Sequence, residues 1–332
     1  MNDKNDKSVS VALCTYNGER YLSALLDSLA CQQLKPAELI ACDDGSTDST
    51  ISILNEFKSR APFNVRIILN EKRMGVIRNF EKALTACSCE YIALCDQDDI
   101  WKPEKLLLLT ETISRMQDNH KDGPFFVHSD IDLVDDNSLK MGTGFLEHQG
   151  LKPPLIKHYR TLIVQNYIPG CSALFSADLL TYALPFPAEV VMHDWWLALI
   201  ASIAGKIDFE PSKVLLYRQH TGNQLGSEPR FSWKTGSQVI RIYPAIKVMQ
   251  QNFICAAKQA IAARNMLSGK NVCIPAEVSN YVESLTSSKM KILISLFSGH
   301  IGRANFIRNL TLILAVLGFN TKSLRNLPRH GY

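Results

Sequence analysis

The acidic segment 96–99, which reads DQDD, directly follows the apolar run 91–95. Asp96 and Asp98 are carboxylates at a spacing of two residues, and a third carboxylate stands beside them. Hard divalent cations such as Mg²⁺ prefer oxygen ligands of this kind, usually a few together with substrate phosphates. An acidic turn is the simpler explanation of a DxD pattern alone. Here the preceding strand and further polar clusters favour a cation site.

A second polar cluster, DDGSTD at 43–48, follows the apolar run 38–42. A carboxylate at this place can accept hydrogen bonds from a base N–H or a ribose hydroxyl. The backbone amides at the helix start beyond it can bind phosphate. An Asx turn with a helix cap explains the same residues, and both explanations can hold together.

Two further segments carry candidate side chains. Asp194 stands beside two tryptophans in the sequence HDWW at 193–196, where partial desolvation favours a base and the indoles offer flat surfaces to sugars. A helix N-cap with two core tryptophans is the alternative. In the segment RQH, Arg218 could hold a diphosphate, and His220 could bind a metal or a phosphate. A surface turn explains that segment equally well.

The elements that must position these residues alternate in type over the first hundred residues. Apolar β-like runs occupy 9–14, 38–42, 65–69 and 91–95, with helical periodicity at 20–31, 51–57 and 79–86. The alternation predicts an α/β fold with a Rossmann-like, mostly parallel sheet flanked by helices. Ligands of such sheets bind at the carboxyl ends of the strands, where the polar clusters at 15–17, 43–48 and 96–99 fall.

The second part of the chain divides near residue 228. Strands are predicted at 125–128, 172–176 and 213–217, and a helix at 195–204. We expect a catalytic domain over 1–228 and a basic, amphipathic helical extension over 229–332.

Charge separates these two parts. The chain carries a net charge of +4, yet residues 230–332 contain fourteen Lys or Arg and two acids, and the preceding residues are net acidic. A basic region can be attracted to nucleic acid or to an anionic membrane, or it can be a solvated helical surface. Few aromatic residues are interleaved with its basic residues, so we expect no nucleic-acid binding.

Composition and cysteine usage restrict the class further. The 332 residues are 46% apolar and 20% charged, which excludes disordered and fibrous classes. Nine scattered cysteines without a CxxC pair are typical of a reducing cytosol. The polar amino terminus resembles no signal peptide, and no apolar stretch reaches the length of a membrane span. These features predict a cytoplasmic protein.

Taken together, the motifs TYNGERYL at 15–22, DDGSTD at 43–48, DQDDIWKPEKL at 96–106 and HDWW at 193–196 resemble those of family-2 glycosyltransferases with the GT-A fold. The resemblance covers about residues 9–225. With LYRQH at 216–220, the set looks most like bacterial rhamnosyltransferases and related enzymes of O-antigen and cell-wall polysaccharide assembly.

The resemblance implies roles for individual residues, which we combine with the reasoning above. For the nucleotide we expect Thr15, Tyr16, Asn17, Asp43, Asp44, Arg78, Asp96 and Gln97, with Asn79 beside the sugar-nucleotide. For Mg²⁺ or Mn²⁺ we expect Asp98 as the direct ligand, with Asp96 and His220. For the acceptor and sugar we expect Gly170, Cys171, His193, Trp195, Trp196 and Arg218. Asp194 matches the general base.

The implied reaction is an inverting transfer of one sugar from a nucleoside-diphosphate sugar to a glycan or lipid-linked acceptor. TDP-rhamnose is the favoured donor and UDP-sugars are the alternative. The QxxRW motif of processive synthases is missing, so transfer of a single sugar is expected. The extension predicts attachment to the cytoplasmic face of the inner membrane, with a helical cap or a homodimer contact as alternatives.

Rival classes make different demands on the sequence. A dinucleotide oxidoreductase needs G-x-G-x-x-G after the first strand, and TYNGERYL stands there instead. A nucleotidyltransferase should carry a glycine-rich basic loop at the same place. A non-catalytic protein that binds sugar nucleotides or acts as a scaffold in an assembly complex stays open as the alternative function.

Overall fold

A computed structural model of the protein describes residues 7–120, 122–151, 157–219, 239–303 and 306–318. The strands are β1 (Val9–Thr15), β2 (Glu38–Asp43), β3 (Asn64–Leu69), β4 (Tyr91–Asp96), β5 (Ile100–Trp101), β6 (Phe125–Ser129), β7 (Asp132–Val134), β8 (Lys140–Gly144), β9 (Leu174–Ser176), β10 (Lys206–Glu210) and β11 (Leu215–Arg218). The helices are α1 (Leu22–Ala30), α2 (Thr50–Arg60), α3 (Val76–Ala86), α4 (Lys105–Asn119), α5 (Phe145–His148), α6 (Tyr159–Leu162), α7 (Leu179–Ala183), α8 (His193–Ala204), α9 (Val239–Gly269), α10 (Ala276–Leu285), α11 (Lys289–Ser298) and α12 (Phe306–Gly318).

The central sheet has seven strands in the order β10-β6-β9-β4-β1-β2-β3. Every neighbouring pair is parallel except those of β9, which runs antiparallel to both β4 and β6. A smaller sheet has the order β5-β11-β7-β8. The predicted α/β class with a mostly parallel sheet is therefore confirmed.

Helices cover both faces of the central sheet because its strands are apolar on both sides. Along β1, Val9, Val11 and Leu13 pack with α1, α2 and α4, whereas Ala12 faces α3 and α8. Strands buried on both faces read as continuous apolar runs, and this is why β1, β2 and β4 were recognisable in the sequence. The strand β3 lies at the edge of the sheet and is exposed at Arg66 and Leu69.

The carboxy-terminal helices α9 to α12 share a core with the sheet. Phe253 on α9 and Tyr281 on α10 are buried in the same hydrophobic cluster as Phe126 and Phe175 of the sheet. The extension therefore packs onto the face that α3 and α8 also cover. The proposed boundary near 228 lies outside the described residues. No described helix combines the length and the hydrophobicity needed to cross a bilayer.

Several helices and strands could not be recognised from the local sequence pattern. The segment 172–176, predicted as a strand, contains the end of a 3₁₀ turn at Gly170–Ser172 and the short strand β9. The sequence analysis assigned no element to α4 or β10. Four consecutive leucines begin α4, so its amphipathic period is masked, and the exposed Lys206 and Asp208 interrupt β10.

The contact between β6 and β9 offers a test of this packing. Phe126 is fully buried, and its ring stacks on that of Phe175 with centroids 6.0 Å apart. We expect Phe126→Ala to lower the free energy of unfolding by about 3–5 kcal/mol, since it leaves a cavity in the core. The exposed Leu69 on β3 is the control, where Leu69→Ala should cost less than about 0.5 kcal/mol in urea denaturation. Equal decreases in the free energy of unfolding for Phe126→Ala and Leu69→Ala would contradict the described core.

Candidate functional site

A cavity of about 350 Å³ opens at the carboxyl ends of β1, β2 and β4, beside the first turn of α8. The polar residues that line it come from distant parts of the sequence. They are Thr15, Tyr16, Asp44, Arg73, Asn79, Asp96, Gln97, Asp98, Asn166, His193 and Asp194. The predicted convergence of polar loops at one edge of the sheet thus gives one shared cavity.

Asp43 organises the loops after β1 and β2 from below the cavity. Its fully buried carboxylate accepts hydrogen bonds from the Thr15 hydroxyl at 2.7 Å and from the backbone N–H groups of Gly45 and Ser46. Asn17 joins the same two loops at the surface, where its backbone N–H donates to the Ser46 hydroxyl. Neither Asp43 nor Asn17 is among the described cavity residues: Asp43 is buried below the cavity, and Asn17 is exposed at the surface.

Asp44 lines the cavity and fixes the loop before α3. Its carboxylate accepts from the backbone N–H groups of Met74 at 2.7 Å and Gly75 at 2.8 Å, and from the Asn70 amide at 3.0 Å. Asn79 on α3 supports the same region by donating to the Cys42 carbonyl at 2.8 Å. The end of β2 is therefore tied to the loop that carries Arg73.

Gln97, inside the DQDD segment, clamps the loop after β1. Its side chain accepts from the Tyr16 N–H at 2.8 Å and donates to the Tyr16 carbonyl at 3.1 Å. A Cβ atom at Gly18 would lie 2.4 Å from the Gln97 Oε1 atom. Glycine at position 18 of the TYNG motif is therefore required for this contact.

Arg73 is a cavity residue that the sequence analysis missed. Its guanidinium lies 3.9 Å from the centroid of the Tyr16 ring, which is a cation–π distance, and its side chain is exposed. The basic pair Lys72-Arg73 in the turn after β3 was the available signal. Arg78, which was expected at the nucleotide, instead pairs with Glu81 and the Phe186 carbonyl and lies outside the described cavity lining.

The carboxylates of the DQDD segment concentrate negative charge at the cavity floor. Burial, then the neighbouring carboxylates of Asp98 and Asp194, raise the pKa of Asp96 well above its usual range. Ligand atoms of Asp96, Asp99 and Cys171 lie within 4.8 Å of one another. Both oxygens of the fully buried Asp99 lack a hydrogen-bond partner among the described residues. The two carboxylates of this cluster are suitable ligands for a divalent cation, whereas the Cys171 thiol is not a ligand that Mg²⁺ prefers, and the cluster does not include Asp98.

Lys105 on α4 is a buried cation next to these acids. Its ammonium donates to the Cys171 carbonyl at 2.5 Å and lies 3.1 Å from the centroid of the Trp101 ring. Burial lowers the pKa of Lys105 to about 8, while nearby Asp99 and Asp96 oppose that shift. The side chain thereby links the acidic loop to the 3₁₀ turn that forms the opposite wall. A lysine in the segment KPEKL is typical of a solvated helix start, so the local sequence contained no signal of this buried position.

Asp194, in the first turn of α8, approaches that turn closely. Its carboxylate accepts from the backbone N–H of Gly170 at 3.1 Å and from its neighbour Trp195 at 2.6 Å. A Cβ atom at Gly170 would lie 2.8 Å from the Asp194 Cβ, so glycine permits the contact. Burial raises the pKa of Asp194 to about 6, and these hydrogen bonds partly offset that rise. A carboxyl of this pKa can act as a base at neutral pH.

Of the three residues next to Asp194 in the HDWW segment, one lines the cavity and two do not. His193 lines the cavity and stacks on Phe80 with centroids 3.6 Å apart, and burial lowers the pKa of His193 to about 3. The Trp195 indole donates to the Leu162 carbonyl and the Trp196 indole to the Ala183 carbonyl. Neither tryptophan is among the described cavity residues.

Arg218 supports the acidic loop from behind. Its buried guanidinium donates to the carbonyl oxygens of Asp98 at 3.2 Å and Asp136 at 2.9 Å. It is not among the described residues of the cavity, although the adjacent Tyr217 is. His220, expected as a metal ligand, lies outside the described residues.

We expect Lys105→Met to lower the free energy of unfolding by about 3 kcal/mol, because it leaves buried carboxylates and the Cys171 carbonyl without their cation. Urea denaturation at neutral pH measures this loss. The exposed Lys58 on α2 gives the matched control Lys58→Met, with an expected change below about 0.5 kcal/mol. A Lys105 variant as stable as the control would show that the ammonium does not stabilise the acidic loop.

Comparison with known proteins adds independent information. Residues 10–180 match the family model described as glycosyl transferase family 2. The chain is 30% identical over 213 residues to an uncharacterized protein of Mycobacterium tuberculosis, covering 64% of this chain and 59% of that protein. It is 26% identical over 240 residues to dTDP-rhamnosyl transferase RfbG of Shigella flexneri, covering 67% and 76%. The match thus spans less than two thirds of the mycobacterial relative.

Solved structures share the fold at low identity. Staphylococcus aureus TarS in complex with UDP superposes with a TM-score of 0.52 at 19% identity, covering 88% of this chain and 72% of that chain. Mannosyltransferase PcManGT from Pyrobaculum calidifontis, in complex with GDP-Man and Mn²⁺, gives a TM-score of 0.50 at 15% identity, covering 96% and 87%. These similarities confirm the expected GT-A architecture.

Proposed function

The chain belongs to glycosyl transferase family 2, and from this premise we propose that it transfers one sugar from a nucleoside-diphosphate sugar to a hydroxyl of a glycan or lipid-linked acceptor. The observation that carries the proposal is the placement of Asp96, Asp98 and Asp194 on one cavity. Such a transfer needs two kinds of group, namely a base for the acceptor hydroxyl and ligands for a cation that binds the diphosphate.

In this proposal the nucleotide occupies the part of the cavity beside β1 and β2. The backbone and side chains of Thr15, Tyr16 and Asp44 line that part, and they offer donors and acceptors for a pyrimidine and a ribose. The exposed guanidinium of Arg73 lies at the same end and can pair with a diphosphate bidentately. These loops are then held in place, behind or beside the nucleotide, by Asp43, Asn17, Gln97 and Asn79.

Asp96 and Asp98 are the proposed ligands of Mg²⁺ or Mn²⁺, with the buried Asp99 beneath them. The bound cation would neutralise the charge of the diphosphate leaving group. The Mn²⁺ bound with GDP-Man in the similar mannosyltransferase supports this assignment. His220 remains a proposed additional ligand.

Asp194 is the proposed general base. Its carboxylate takes the proton from the acceptor hydroxyl, whose oxygen forms a bond to the anomeric carbon as the bond from that carbon to the diphosphate oxygen breaks. The nucleoside diphosphate leaves with the bonding electron pair. A single displacement from the opposite face inverts the anomeric configuration. The hydrogen bond from Gly170 orients the carboxylate towards the cavity.

The sugar would lie between the acids and the wall of residues 166–171, beside His193. Apolar side chains also line this space, namely Val76, Phe80, Phe145, Ile168 and Met192. They suit the methyl group of a 6-deoxyhexose, and with the similarity to a dTDP-rhamnosyl transferase they support TDP-rhamnose as the donor. Trp195, Trp196 and Arg218 would hold the walls of this space from outside.

A thermal-shift panel of TDP-, UDP- and GDP-sugars, with and without Mn²⁺, tests donor binding. One nucleotide class should raise Tm only with the cation present, by an amount equivalent to about 2.7 kcal/mol at about a hundred times Kd. Asp98→Asn should abolish the part of the rise in Tm that depends on the cation. Asp118→Asn, an exposed acid on α4, should keep it. If no sugar nucleotide shifts the wild-type protein, its proposed role as a sugar-nucleotide-binding protein is wrong.

Asp194→Asn should lower the rate of transfer to acceptor by about 10²–10⁴-fold while the donor-induced thermal shift persists, since the base is lost and the nucleotide contacts are not. The wild-type kcat/KM should fall about tenfold per pH unit below pH about 6, because protonation removes the base. Asp118→Asn should keep wild-type turnover. Full turnover by Asp194→Asn would overturn the base assignment, and donor binding without any transfer by the wild type would favour a scaffold.

A further inference from the structure

Helices α11 and α12 carry a row of exposed large apolar side chains each. On α11, Met290, Ile294 and Phe297 are 65%, 58% and 67% exposed. On α12, Leu310, Leu314 and Leu317 are 48%, 46% and 51% exposed. We call these six residues the α11–α12 face. A patch of this kind on a protein surface marks an interaction site more often than scattered single residues do.

The face lies opposite the side that each helix buries. On α11 the buried residues are Ile292 and Leu296, and on α12 they are Leu312 and Val316. The exposed residues recur at i, i+4 and i+7, which places them on one side of each helix, about half a turn from the buried ones. Core packing therefore explains one apolar side of each helix and leaves the second side without a structural role among the described residues.

The two rows belong to one surface. The α11 and α12 helices pack together, and the Lys289 ammonium at the start of α11 donates to the Leu317 carbonyl at the end of α12 at 2.5 Å. The start of one helix thus meets the end of the other, so the two rows lie on neighbouring helices that pack directly together.

Charge indicates what the face meets. Within the described residues, 284–303 and 306–318 contain four Lys or Arg and no Asp or Glu. Lys291 is exposed beside Met290, at the edge of a cavity of about 320 Å³ that one acid, Glu283, also lines together with Ser284, Ser287 and Ser295. A second copy of the chain would bring the same positive charge to this face, whereas an anionic surface is attracted to it.

The face is connected to the proposed acceptor side of the catalytic cavity. The Arg308 guanidinium on α12 donates to the Gln149 carbonyl at 2.7 Å, and the Gly302 N–H donates to the Arg160 carbonyl at 3.1 Å. Arg160 also pairs with Glu277 on α10 at 2.9 Å. The segment from Phe145 to Gly170, which supplies one wall of the cavity, therefore rests on the carboxy-terminal helices.

We propose that the α11–α12 face docks on an anionic lipid bilayer. The six apolar side chains enter the boundary between headgroups and acyl chains, and Lys291 pairs with headgroup phosphates. An amphipathic surface with basic residues at its edge binds such membranes through buried apolar area together with electrostatic attraction. The helices lie on the membrane and do not span it. This inference goes beyond sugar transfer, and it stands or falls independently of the donor and acceptor.

Vesicle flotation of the full chain tests the inference. Vesicles of equimolar phosphatidylcholine and phosphatidylglycerol should carry the protein, and vesicles of phosphatidylcholine alone should carry much less. The triple variant Ile294→Asn, Phe297→Asn and Leu314→Asn should bind anionic vesicles at least about tenfold more weakly. The double variant Leu139→Asn and Met141→Asn removes two exposed apolar residues elsewhere and should bind like the wild type.

Two controls separate this result from misfolding and from failure of the proposed function. The triple variant should keep the donor-induced thermal shift, which reports an intact catalytic cavity. Lys291→Gln should weaken flotation, and added salt should weaken it in all variants. The inference would be overturned if the wild type did not bind anionic vesicles. It would also be overturned if the triple variant and the Leu139/Met141 double variant lost vesicle binding equally. The inference would also be wrong if the triple variant floated with vesicles like the wild type but formed a smaller oligomer, because the face would then join copies of the chain.

Discussion

Four carboxylates, those of Asp96, Asp98, Asp99 and Asp194, are gathered in and beneath one cavity with the buried ammonium of Lys105. Desolvation raises the pKa values of Asp96, Asp99 and Asp194, and repulsion from neighbouring carboxylates raises those of Asp96 and Asp99 further. Such an arrangement is unfavourable in isolation and persists only where the surrounding fold holds it rigidly. Most of the polar contacts described here can be understood as that support.

The support comes from side chains that hold backbone. Gln97 clamps the Tyr16 backbone, Asp44 holds the loop before α3, and Lys105 holds the Cys171 carbonyl. Each bond is made by a buried or partly buried group whose partner would otherwise lack a hydrogen bond, so each is costly to break. The residues that define the cavity are therefore fixed by residues that do not themselves face a ligand. Arg218 shows the same principle, because its guanidinium supports the Asp98 carbonyl from behind.

The carboxy-terminal helices extend this support to the other side of the cavity. They bury Phe253 and Tyr281 in the core that also contains the sheet residues Phe126 and Phe175. Through Arg160 and Gly302 they also hold the segment that forms the acceptor-side wall. A membrane bound to the α11–α12 face would thus lie against helices in direct contact with that wall, which is a suitable arrangement for an acceptor carried on a lipid.

The sequence by itself determined the α/β class, the strands around the cavity and the family, because buried parallel strands leave continuous apolar runs and the polar motifs stand where those runs end. The family resemblance also assigned Asp44, Asp96, Asp98 and Asp194 to one site, and all four line the same cavity. Only the tertiary structure decided which neighbours face the cavity. Arg73 replaced Arg78 there, and both tryptophans of HDWW turned away from it. Motif spacing records which residues share a loop or a helix turn. The direction of a side chain depends on contacts that form only when the chain folds, such as the hydrogen bond from Arg78 to the Phe186 carbonyl, 108 positions away.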